Sequence, residues 1–122
     1  MESAKKFPEP AESIHRQAVQ SLFQILEGLC EGALLVDRQA RIVWISEKYL
    51  DLLGLSGPEA ALGKAVEQVI PASLMRQVVE TGEPILLDIM EFKNQSFVVT
   101  RLPLRDESGA VSGGIGFVLY DR

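Results

Sequence analysis

One cysteine and one histidine are all that this 122-residue sequence contains of those two residue types. Cys30 has no second thiol to pair with, so no intrachain disulfide can form, and a reducing compartment is the natural setting. His15 stands apart from any Cys/His spacing that would hold zinc. The serines have no base partner, because the one histidine lies near the N-terminus, and no carboxylate pair sits beside a His or Lys for acid–base work. Enzymatic function is therefore not expected. Positive charge is also scarce: 12 Lys and Arg against 17 Asp and Glu give a net charge of −5, and only Lys5 and Lys6 are adjacent. Such a chain is poorly suited to bind a nucleic-acid backbone directly. No apolar run approaches the ~20 residues that span a bilayer, and no signal-peptide core opens the sequence. The expectation is a cytoplasmic protein without membrane contact.

What is present is ordinary globular composition, 47% hydrophobic and 24% charged, at a length that suits one domain. Residues 1–10 carry Pro8, Pro10 and mixed charge and read as a flexible tail. Residues 11–31 follow a helical period. Ala18, Leu22, Ile25 and Leu29 form one stripe, and Val19, Phe23, Leu26 and Cys30 repeat it one position on. Two adjacent stripes make an apolar face wider than one core contact requires. Gly32 is expected to end this helix.

Residues 33–36 and 41–46 read as strands joined by the turn Asp37-Arg38-Gln39-Ala40. Ser46 is placed to cap a helix carrying Tyr49, Leu50, Leu52 and Leu53, which Gly54 closes. Ser56-Gly57-Pro58-Glu59 has the form of a capping box with proline in the first turn. Short helical pieces follow over 64–70 and 72–81, with Gly82 as terminator. The last third changes character. Three strands are expected at 84–92, 96–105 and 110–120, linked by Lys93-Asn94-Gln95 and Asp106-Glu107-Ser108-Gly109. Hairpins at both ends with helices between them imply an α+β fold: one five-stranded antiparallel sheet, short helices on one face, and an N-terminal helix. The late strands alternate apolar residues on both sides, Phe97 and Val99 against Val98, Leu102 and Leu104, so both faces need cover. The N-terminal helix or a second subunit is available for the face the short helices leave open.

The words "GALLVDRQARIVWISEKYLDLLGLS", "PEAALGK" and "VSGGIGFVLYD", in that order, resemble the PAS (Per-Arnt-Sim) domain family. Ser46 and Ala40 stand where Asn and Gly are common in that family. The segment "VIPASLMRQVVETGEPIL" is similar to PAS domains at the front of bacterial activators that work with sigma fifty-four, and to some in sensor kinases. The resemblance covers about residues 22–122. It implies a sensory core over 32–122 that binds a small molecule or partner and transmits through the geometry of a homodimer. It further implies that an output domain follows in a longer regulator, a transcription activator ahead of a histidine kinase. The helix would supply the pairing surface: Ala18, Val19, Leu22, Phe23, Ile25, Leu26 and Leu29. A ligand-free structural dimerisation domain is the other reading.

The resemblance bears on cofactors as well. The helix that carries a haem-ligating histidine in haem-binding PAS domains corresponds to 72–81 and contains none, so His15 is expected to be a solvated helix residue. Cys30 lies outside the mid-domain helices that carry a flavin-adduct cysteine. Its acidic neighbours Glu27 and Glu31 work against a reactive thiolate, and a buried small hydrophobe is expected. No cofactor is evident, while an unknown small-molecule ligand fits the family. Candidate pocket residues between helices and sheet are Trp44, Tyr49, Met75, Met90 and Thr100; the same residues could simply fill the core. Asp88 and Arg101, charges inside strand patterns, could meet a polar ligand, each other, or solvent. The glycines of "SGGIG" lie within the last strand, where they allow close packing or a bulge.

Overall fold

The computed structural model of the chain describes residues 9–121. The sequence-expected tail lies mostly outside them. Helix α1 spans Glu9–Leu29, followed by strands β1 (Gly32–Asp37) and β2 (Ile42–Ile45). Helix α2 (Glu47–Leu53), a 3-10 turn (Pro58–Ala60), α3 (Val66–Val69) and α4 (Met75–Thr81) come next. Strands β3 (Ile85–Phe92), β4 (Gln95–Arg105) and β5 (Val111–Asp121) complete the chain. The five strands form one antiparallel sheet in the order β2-β1-β5-β4-β3. First and last strands thus lie side by side at the centre, and the two hairpins flank them.

Local chemistry sets most boundaries. In the first hairpin Asp37 Oδ1 accepts the N–H of Gln39 (2.9 Å) and Arg41 (3.0 Å), which bends the chain. Ser46 Oγ accepts the N–H of Tyr49 (3.2 Å) as the α2 cap and also the N–H of Ala33 (3.0 Å) on β1. One buried hydroxyl therefore fixes both the helix start and its place beside the sheet. Gly54 ends α2 with φ 75°, the left-handed conformation that glycine takes without a Cβ clash. Lys93 and Asn94 both have positive φ in the tight turn between β3 and β4.

Two expectations are corrected here. Gly32 does not cap α1; the helix stops at Leu29 and Gly32 is the first residue of β1, facing Val118 of β5. A side chain there would run into the Tyr49 ring, since an added Cβ would lie 2.7 Å from Tyr49 Cγ. Ser56 forms no capping box. Gly57 precedes the 3-10 turn, with no side-chain cap, because a single turn held by Pro58 leaves few orphan N–H groups to satisfy.

The sheet has apolar residues on both faces. Toward the short helices, Leu34, Val36, Ile42, Phe97, Val99 and Val118 pack with Leu53, Val66, Ile70, Met75 and Val79. Each such buried aliphatic or aromatic side chain contributes about 1.5–3 kcal/mol. On the opposite face Cys30, Ala33, Ile115 and Phe117 are buried, with Leu35, Trp44, Leu102 and Leu119 half-buried around them. The end of α1 reaches this second face: the Phe23 and Trp44 rings lie 5.9 Å apart. Lys48 Nζ donates to the carbonyls of Gly28 (2.8 Å) and Cys30 (3.2 Å) and holds the helix end in place.

Candidate functional site

Strand parity decides what can face the helical layer. Along β4, Phe97, Val99 and Arg101 point inward, and their β5 neighbours in register include Gly116 and Val118. Glycine at 116 leaves room above the sheet, and Met75 from the first turn of α4 fills it. A Cβ at Gly114 would lie 2.6 Å from Met75 Cε, and one at Gly116 3.3 Å from Met75 Sδ. The "SGGIG" glycines thus admit a thioether directly onto strand backbone. Beside it is a small cavity of about 20 Å³, lined by Leu34, Tyr49, Ile70, Ser73, Met75, Met90, Val99, Arg101, Gly116 and Phe117. That is room for one water-sized group.

Arg101 is the unusual member. It is only 2% exposed. Its Nη1 donates to Asp88 Oδ2 at 2.9 Å, and its Nη2 is buried with no hydrogen-bond partner. Among the described residues it is the one buried side-chain polar atom left in that state. Asp88 reaches Arg101 because β3 slips register between Ile85 and Asp88, with Leu87 at φ 53°. The slip breaks the alternation, so Leu86 points to solvent while Asp88 turns to the guanidinium. The bond from Arg101 holds the Asp88 carboxyl below its usual pKa. Burial pushes the Tyr49 phenol pKa up, with the Arg101 charge partly opposing, so Tyr49 stays a neutral donor at physiological pH. Ser73 Oγ accepts the N–H of Met75 (3.2 Å) and steadies the start of α4.

Of the residues expected to line a pocket, Tyr49, Met75 and Met90 meet at this cavity. Trp44 and Thr100 do not. Trp44 faces the second core beside α1, because a bulge between Leu35 and Val36 sets it opposite Leu35 on the outer side. Thr100 has the outward parity of β4, and its Oγ1 accepts the N–H of Leu87 (3.1 Å). Arg101, Ser73 and Gly116 were not placed in the pocket from sequence. The signal for Arg101 was its parity with Phe97 and Val99; helix packing brings in Ser73. The seven apolar residues of α1 expected to form a pairing surface are all exposed, Leu22 at 59% and Leu29 at 74%. His15 is exposed and Cys30 buried. A second, open cleft of about 600 Å³ is lined by residues of α2, the 3-10 turn, α3 and the end of β3, among them Leu53, Leu55, Val69 and Phe92, with Lys64, Gln68, Glu91 and Lys93 beside them. On the surface, Arg76 grips Glu67 through two bonds, Nε to Oε2 (2.9 Å) and Nη2 to Oε1 (3.0 Å). Among the described residues no group of three or more His, Cys, Asp or Glu is placed to hold a metal ion. No helix among them is long and apolar enough to cross a membrane.

A five-stranded antiparallel sheet with short helices over one face and a small cavity beneath them defines a cup-shaped α+β module. The family model described as the PAS fold matches residues 26–121, and the chain belongs to that family. Solved structures agree on the fold. The PAS domain of the histidine kinase ThkA superposes with a TM-score of 0.61 at 23% identity, covering 70% of this chain and 94% of that one. VqmA bound to DPO gives 0.59 at 24% identity and covers 84% of this chain. The match takes in 57% of the VqmA chain, so this chain corresponds to little more than half of that protein. The PAS domain of Bordetella pertussis BvgS gives 0.56 at 22% identity, over 84% of both chains. No curated protein matches the sequence. PAS domains are generally sensory modules rather than enzymes, and histidine kinases and a LuxR-type receptor are among the proteins whose structures share this fold.

Proposed function

We propose that this chain is the sensory module of a cytoplasmic signal-transduction or transcription regulator, and that it works as a homodimer built on α1. The observation that carries this reading is the uncovered apolar surface of α1. Val19, Leu22, Ile25, Leu26 and Leu29 are exposed on a 21-residue helix, next to a sheet face whose own apolar residues are only partly covered. Patches of this kind mark association surfaces, and a helix with apolar residues over so wide a face needs a partner for it. A second copy offers the matching helix, and a two-fold pairing would bury both at once. Signal would then pass as a population shift between two arrangements of the dimer, each binding the stimulus with different affinity. The VqmA dimer of Vibrio cholerae, a fold relative, shifts conformation widely in the absence of target DNA. Output through a separate domain, of the activator or histidine-kinase type, fits the same geometry, because α1 leads directly into β1, and β1 pairs with the last strand, β5.

The test is the mass of the protein in solution. Replacing Leu22 and Phe23 together by Glu puts two charges on the proposed seam. The unmodified chain is expected to run as a dimer in multi-angle light scattering and the double variant as a monomer with an unchanged circular-dichroism spectrum. A dimer of unaltered affinity in the double variant overturns the proposal.

A further inference from the structure

The sheet has a free edge at β3, and large apolar side chains stand out from it. Leu86 is 60% exposed and Leu87 68%, and Ile89 is exposed two residues on. The bulge brings the two leucines out together. Ile85 pairs with Arg101 and Asp88 with Val99, so Leu86 and Leu87 share the place of one residue opposite Thr100. Regular alternation would turn one of them inward. Leu87 takes φ 53°, the conformation for which such bulges favour glycine, and Thr100 Oγ1 holds it there by accepting its N–H (3.1 Å). A branched side chain is strained at that φ, and glycine would make the same bulge without the strain. The leucine side chain therefore serves something outside the fold. We propose that Leu86, Leu87 and Ile89 form a docking knob for one basic amphipathic helix of another protein. This goes beyond the sensory reading above and does not depend on it.

Charge and shape choose the occupant. Residues 80–92 include Glu80, Glu83, Asp88 and Glu91 and no Lys or Arg. Asp88 is engaged by Arg101, which leaves Glu83 and Glu91 exposed on either side of the leucines. The neighbouring cations point elsewhere: Arg105 donates to the carbonyls of Gly82 and Gly109, and Lys93 to that of Leu53. A second copy placed edge to edge would set this acidic stretch against itself. An added strand finds no continuous row of N–H and C=O groups, because the bulge interrupts it. Three side chains offer far less than the roughly 800 Å² per partner of a standard interface, which suits one segment rather than a whole domain. From Glu83 to Glu91 the strand covers about 26 Å, the length of a helix of about 17 residues. Apolar residues at helical spacing would receive the leucines, and Lys or Arg on the flanks would reach the two glutamates.

The probe is a helical peptide of about 18 residues built from Leu and Lys, with Leu at helical spacing; its counterpart carries Glu for Lys. Each is titrated into the chain at about 0.15 M salt and followed by backbone amide NMR and calorimetry. The Lys peptide is expected to shift amides over 83–91 and to bind at least tenfold more tightly than the Glu peptide. Leu86→Ser and Leu87→Gly should each weaken it at least tenfold, while Leu87→Gly moves Tm by no more than about 3 °C. Leu22→Glu with Phe23→Glu should bind it within threefold of the unmodified chain. Shifts centred on α1 overturn the proposal, as do equal affinities for the two peptides or an affinity that neither leucine variant changes. A Leu87→Gly chain that loses more than about 8 °C in Tm shows the leucine working inside the fold, and overturns it too. So does a fall in the mass of the peptide-free chain on Leu87→Gly in light scattering, since a second copy would then be the occupant.

Discussion

Asp88→Asn isolates the electrostatics of the core. The replacement keeps the shape of the side chain and removes its charge. Arg101 is 2% exposed, and among the described residues its one side-chain counter-charge is Asp88, at 2.9 Å. Losing one partner of a fully buried pair costs about 3–5 kcal/mol. The Asp88 side chain is 36% exposed, so water reaches its end of the pair and screens it, and Asn can still accept the bond. The expected loss is therefore about 2 kcal/mol at pH 7. At roughly 4 °C per kcal/mol for a domain of this size, Tm should fall by about 8 °C. Urea denaturation gives the free energy directly.

The pH dependence carries the sign. The Asp88 carboxyl is held below its usual pKa, chiefly by the hydrogen bond from Arg101. Its stabilising contribution is thus complete above the unfolded value of about 3.9 and is lost as pH falls through the lower folded value. The gap between the unmodified chain and Asp88→Asn should be constant from pH 8 to about 5 and close below about 4. Equal urea midpoints at pH 7, or a gap that persists at low pH, would refute the reasoning. Replacing both residues, Asp88→Leu with Arg101→Met, should recover stability to within about 1 kcal/mol of the unmodified chain, since an apolar pair needs no charge compensation.

Ser46→Ala removes an acceptor for two N–H groups, Ala33 and Tyr49, in a buried position; a loss of about 2 kcal/mol in urea denaturation is expected. Gly113→Ala sets a Cβ against the Val36 carbonyl of the paired strand, where backbone cannot step aside, so a loss of about 1–3 kcal/mol and faster amide exchange across the β1–β5 pairing should follow.

Local signals located the elements well where they carried their own chemistry. Ser46 and Gly54 bound α2 because a hydroxyl and a left-handed glycine do that work within a few residues. Asp37, Asn94 and Asp106 mark turns for the same reason: short polar side chains satisfy nearby N–H groups, or tolerate positive φ. Gly32 misled, because a glycine after a helical run reads alike whether it caps the helix or opens a strand under an aromatic ring. Trp44 and Thr100 misled because pocket residues were chosen by chemistry before parity, and one bulge in the β1–β2 pairing reverses which face a tryptophan meets.

The sequence by itself determined the module: its strand and helix order, its two apolar sheet faces, its apolar first helix and its membership of the PAS fold family. Those properties are written in periodicity and turn chemistry, which act over a few residues. The tertiary structure alone decided the inside of the cup. Arg101, Tyr49, Ser73, Met75 and Met90 come from five separate elements or loops, and they meet because β5 passes through the centre of the sheet with glycines at 114 and 116. Whether a charge in a strand pattern is solvated or buried depends on what the neighbouring strand leaves empty, and no local period records that.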